Sequence, residues 1–149
     1  MLTFAFYKAQ GSWRDALIRW ATGSPYSHVE FVLNGPDKNG DAICVSASKR
    51  DGNIVRVKPF CMDPDHWDFV TIDGDYAKAR AIALAQVDEP YNMLGAIMSV
   101  TPLPFSVGRG VFCSQLMGLI AGLDNPHTLN PEEFYQIISD DPKQAKAVP

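Results

Sequence analysis

The chain has no surplus of positive charge: 13 Lys and Arg stand against 17 Asp and Glu, for a formal charge of −4 and a pI near 5.2. A nucleic-acid binder needs a basic stripe to neutralise phosphates, and the one adjacent basic pair, Lys49-Arg50, does not make one. Cysteine is scarce as well. Cys44, Cys61 and Cys113 cannot all pair, and their wide spacing fits neither a CxxC redox motif nor a zinc site, so reduced thiols are expected. Long apolar runs are missing. No stretch approaches the ~20 residues that span a bilayer, and the longest apolar region, Met93 to Phe112, is cut by Pro102 and Pro104. The opening MLTFAFYKAQGSWRDAL lacks the basic start, apolar run and small-residue cleavage site of a secretory signal. The expected location is therefore cytoplasmic or phage- or virion-associated.

What is present suits a single domain over residues 1–149: 46% hydrophobic and 20% charged content is ordinary for one packed core. Such a domain buries enough surface to fold without disulfide or metal. Leu2 to Tyr7 is aromatic-rich and reads as a first strand. Ser12 and Asp15 resemble a capping box, and Trp13, Ala16, Leu17 and Trp20 follow at helical spacing until Gly23 and Pro25. Ser27 to Leu33 alternates, with Val29, Phe31 and Leu33 on one face and His28 and Glu30 on the other. Turn-rich segments then lead to strands over Ala42 to Ser48, Ile54 to Lys58 and Trp67 to Ile72, an antiparallel series. Asp75 caps a helix running to Gln86. The loop TPLPFSVGRG delivers the chain into an apolar helix that begins at Cys113 and stops near Gly122. Asn130-Pro131-Glu132-Glu133 starts a last helix reaching about Ile138, and the tail DPKQAKAVP is expected to fray.

Two of these placements carry chemistry. A thiol in the first turn of a helix sits where unpaired N–H groups and the helix dipole favour an anion, which lowers a thiol pKa from about 8.5 towards ~3.5–7.5. Cys113 occupies that position, and its backbone N–H would point towards an oxyanion. Gly108 and Gly110 would let the entering loop bring backbone close to a substrate. A nucleophile needs a base, and the base needs a partner that fixes its tautomer. His28, on the polar face of its strand, is the candidate base. Alternation puts Cys44, Ser46 and Ser48 on one face of the next strand, so Ser46 or Ser48 would orient the imidazole if the strands pair that way; Glu30 is the alternative. Gln10, Tyr26, Tyr91, His66 and His127 are read as loop or packing residues, and no metal or cofactor set is suggested by their spacing.

The segments SPYSHVEFVL, ICVSAS and GVFCSQLMGLIAGL together resemble permuted papain-like hydrolases related to the NlpC-type cell-wall peptidases, particularly the YiiX-like group. The resemblance runs from DALIRWATGSPYSHV to LNPEEFY. It implies an α+β papain-like fold in circularly permuted order, with an antiparallel sheet of about five strands packed against helices, the Cys113 helix among them. It carries catalytic roles onto Cys113 and His28. Related sequences often have an acid or other polar group on the second strand, where this chain has Ser46, and SQL replaces the more familiar SEL. The implied activity is cleavage of an amide bond, in a peptide or peptidoglycan peptide, or of an ester, through a thioester. Two alternatives stand beside it: lipid acyl hydrolysis or acyl transfer on the same fold, and a binding or virion-associated effector role with a vestigial site.

Overall fold

The computed structural model describes residues 1–100 and 108–140. The expected loop over 101–107 and the tail over 141–149 lie outside the described residues. The chain forms β1 (Leu2–Tyr7), α1 (Trp13–Thr22), β2 (His28–Asn34), β3 (Asp41–Ser48), β4 (Ile54–Cys61), β5 (Trp67–Ile72), α2 (Tyr76–Ala85), α3 (Met93–Met98), α4 (Cys113–Ala121) and α5 (Pro131–Asp140). The five strands make one antiparallel sheet in the order β4-β3-β2-β1-β5. The architecture is α+β, as expected. Among the described residues no helix is long and apolar enough to cross a membrane.

Period-two alternation sorts the sheet's two faces. Phe4, Phe6, Val29, Phe31, Val45 and Val70 point one way, into a core closed by α2, α4 and α5. Phe4 meets Phe134 of α5 edge-on at 5.1 Å between ring centroids, and Phe6 stacks on it at 5.8 Å. The other face carries a smaller cluster of Ala5, Val32, Ala42, Cys44, Met62 and Trp67. His28 and Glu30 belong to this second face by parity. β4 runs three residues beyond the expected Lys58, through Pro59; it is an edge strand, where a missing N–H costs no ladder bond.

The helices start where the capping signals place them. In α1 the Ser12 N–H and Oγ both donate to Asp15, at 2.6 and 2.7 Å. Asp75 accepts from the Lys78 N–H at 3.1 Å, and Asn130 exchanges bonds with Glu133 at 2.9 and 3.0 Å. The six-residue α3 is an addition to the expected elements. Asn92 caps it, accepting from the Gly95 N–H at 2.8 Å.

Candidate active site

α4 begins at Cys113 and its first ladder bond is donated by Leu116 to the Phe112 carbonyl, so the N–H groups of residues 113–115 stand outside the ladder. Three contacts set the position of this helix end. Val111 N–H donates to Pro90 O at 3.0 Å and Asn92 N–H to Val111 O at 2.9 Å, while Ser114 Oγ donates to Leu129 O at 2.6 Å. Gly110 makes the first of these possible: at φ +87 it lies so close that a Cβ would sit 1.8 Å from Pro90 O. Gly108, at φ +85, is similarly pressed against the Asn92 side chain. The two glycines thus admit the 90–92 segment.

His28 stands at the start of β2, and its Nε2 lies 2.8 Å from Glu30 Oε1. The i, i+2 spacing on a strand makes them neighbours on one face. Glu30 is fully buried, and Arg56 of β4 grips it with two bonds of 2.7 and 2.6 Å to its two oxygens. Arg56 in turn donates to Asp51 at 3.0 Å, and Lys58 donates to the other Asp51 oxygen at 2.8 Å. Burial would push the Glu30 carboxyl up, but the bonds from Arg56 and then His28 outweigh it and hold the group below its ordinary 4.5. It is a carboxylate at neutral pH. Burial likewise disfavours a charged His28, yet hydrogen bonding to Cys113, then to Glu30, raises its pKa from 6.5 to about 9. With Nε2 given to Glu30, Nδ1 is the nitrogen left for the thiol.

Ser46 does not meet the imidazole. It is fully buried and on the expected face, but its Oγ donates to the Val29 carbonyl at 2.7 Å. A hydroxyl cannot match a carboxylate for an imidazolium, and Glu30 already fills the imidazole's second nitrogen. Ser46 is instead the register partner of Arg56 on β3, the strand between β4 and β2. Its small side chain, folded back on the backbone, leaves the guanidinium room to cross β3 and reach Glu30. Sequence reading missed Arg56 and Asp51, and read Tyr91 as a packing residue. Tyr91 is held beside Val111 and shares the cleft with Cys113; burial, then the Cys113 charge, pushes its phenol up, so it stays protonated.

The cleft over these groups encloses about 830 Å³. Tyr7, Phe60 and Trp67 form an aromatic floor beside His28, with Phe60 under the Arg56 guanidinium at 4.9 Å. Its walls are apolar. Trp13 and Leu17 of α1 and Met93 and Ile97 of α3 line it while remaining 47–71% exposed. Arg50 ties the β3–β4 turn to Asp15 of α1 at the rim. Of the other thiols, Cys44 is buried and pushed upward by burial and by Glu30, and Cys61 is exposed. Gln10 is exposed in the loop before α1, where its carbonyl accepts from Arg19 at 2.7 Å. His66 is exposed beside Asp63, and among the described residues no group of His, Cys, Asp and Glu converges to hold a metal.

Compared with known proteins, the chain matches no family model, no curated protein and no solved structure.

Proposed function

We propose that the chain is a cysteine-dependent acyl hydrolase in which Cys113 is the nucleophile, His28 the proton carrier and Glu30 the group that orients His28. One observation carries the reading: a helix-start thiol lines the same cleft as an imidazole that a buried carboxylate holds at 2.8 Å. In this scheme the Cys113 thiolate attacks an amide or ester carbonyl and forms a C–S bond. The oxyanion is met by first-turn N–H groups of α4. The C–N or C–O bond breaks as the His28 imidazolium gives its proton to the leaving group. Water then attacks the thioester, its proton passing to His28, and the C–S bond breaks to restore the thiolate.

The α+β architecture, with the histidine strand before the cysteine helix, fits a circularly permuted papain-like fold of the NlpC-type superfamily. A peptide or peptidoglycan peptide is the substrate that this kinship suggests. A second reading has a specific observation in its favour: walls built of Trp13, Leu17, Met93 and Ile97 suit an acyl chain better than a charged peptide, so a lipid ester or amide is the alternative.

Intact-protein mass spectrometry after incubation with muropeptides and with long-chain acyl esters tests both. The expected result is a covalent acyl adduct on Cys113 that is absent in Cys113→Ala and that persists in His28→Ala only at a much reduced rate of formation. Adducts from the acyl esters alone would select the lipid reading. No adduct from either, with Cys113 no more reactive than Cys61, would favour a binding role and refute the hydrolase.

A further inference from the structure

We infer that Arg56 is a positioning residue of this site: its fork on Glu30 keeps that carboxylate ionised and turned so that one oxygen meets His28 Nε2, and Asp51 holds the fork in place. The inference rests on the hydrolase reading of Cys113 and His28.

The argument begins with cost. Glu30 has no exposed surface, and a carboxylate so placed would take up a proton unless a cation met it. A protonated Glu30 could donate a hydrogen bond to a neutral imidazole but would not stabilise the imidazolium that the leaving group needs. The groups facing Glu30 are few. His28 lies on its own strand, Cys44 and Ser46 on β3, Arg56 on β4, with Tyr7 of β1 beside His28 and Asp51 and Lys58 behind Arg56. Apart from His28 itself, Arg56 is the cation among them that touches Glu30 directly. Its geometry is bidentate, at 2.7 and 2.6 Å, so it fixes the plane of the carboxylate as well as its charge. Glu30 Oε1 is therefore shared between His28 at 2.8 Å and Arg56 at 2.6 Å, and the orientation of the imidazole depends on the guanidinium two strands away. Asp51 and Lys58 extend the chain outward, which leaves Arg56 little freedom to swing.

The test needs no natural substrate. In a Cys61→Ser background, which removes the exposed thiol, the rate of Cys113 alkylation by iodoacetamide is followed from pH 5 to pH 9, with circular dichroism to verify folding. Without Arg56, Glu30 takes up a proton at a higher pH and the thiolate–imidazolium pair loses its anchor in acid. Arg56→Met is expected to lower the rate at pH 5.5 relative to that at pH 8 by about tenfold, one pH unit's displacement of the acid limb. Arg56→Lys, which keeps the charge and loses the fork, falls between. Glu30→Gln reproduces the loss, and adding Arg56→Met to it changes nothing further. Should Arg56→Met not fold, Arg56→Lys and Asp51→Asn carry the test, each expected to shift the acid limb in the same direction. A folded Arg56 variant whose profile keeps its shape while the whole curve drops, or a double variant whose losses add, would overturn the positioning role and leave the nucleophile standing. If, in the protein that keeps Cys61, Cys113 alkylates no faster than Cys61 across the range, the hydrolase reading fails, and the role of Arg56 falls with it.

Discussion

Replacing Glu30 with Gln preserves the shape of a fully buried side chain and deletes its charge. The consequence for His28 can be worked from its surroundings. Its imidazolium is favoured by a rise from 6.5 to about 9, which at about 1.4 kcal/mol per pH unit is about 3 kcal/mol, shared between Cys113 and Glu30. The sign follows from linkage. A histidine whose pKa is raised on folding adds stability that is complete below its unfolded value of 6.5 and is lost as pH rises through about 9. Unfolding by urea at pH 6 and pH 10 is therefore expected to show the native protein losing a contribution on the order of 3 kcal/mol from this group, with Glu30→Gln losing less. Glu30→Gln also strands Arg56 with Asp51 as its remaining counterion. The general cost of breaking a buried ion pair, about 3–5 kcal/mol, sets the scale of the drop at neutral pH. The direct assay is a carbon-detected NMR titration of the imidazoles. His28 is expected near pH 9 in the native protein and at least about one unit lower in Glu30→Gln. A His28 that titrates at 6.5 in the native protein, or that keeps its value after the substitution, refutes the reasoning.

Other outcomes follow from the same geometry. The rate of acyl transfer is expected to fall as pH rises through about 9, because the leaving group then finds a neutral imidazole; a flat profile to pH 10.5 with an amide or an unactivated alkyl ester would contradict this. Gly110→Ala places a methyl against Pro90 O and forces a positive φ on alanine, so thermal melting should show a loss on the order of 1–3 kcal/mol or more. Asp15→Ala removes the acceptor for both Ser12 groups and the Arg50 partner, and about 1–2 kcal/mol of stability should go with it in urea. Leu17→Asp and Ile97→Asp, on exposed cleft walls, are expected to slow adduct formation from long-chain esters far more than from short ones while leaving melting within about 0.5 kcal/mol.

Much of the fold was legible because its signals are local. The alternation of His28, Val29, Glu30 and Phe31 assigned both faces of β2, and the Ser12, Asp75 and Asn130 caps located three helix starts. Cys113 at a helix start and Glu30 two residues from His28 could likewise be read from spacing alone. Arg56 could not. In Ile54-Val55-Arg56-Val57-Lys58 it looks like any solvated strand arginine, and its meaning depends on a partner 26 residues away across β3. Ser46 was misjudged for a related reason: parity put it on the right face, but parity says nothing of whether a hydroxyl turns to a side chain or to the backbone. α3 was overlooked because six residues are too few for helical periodicity to declare itself; its Asn92 cap and the glycine three residues on were the available clue. The roles of Gly108 and Gly110 also depended on a distant segment, residues 90–92.

The sheet is complete by Ile72, yet it holds only His28 and its partners; the Cys113 thiol arrives on a helix 85 residues after His28 and is seated through Pro90, Asn92 and Leu129. On the hydrolase reading, a chain that has zipped its strands but not docked that helix has His28 in place without Cys113 beside it. Contacts of such long sequence separation are the slow ones to form. On the hydrolase reading, the Cys113 labelling rate would therefore report the docking of α4 against the sheet.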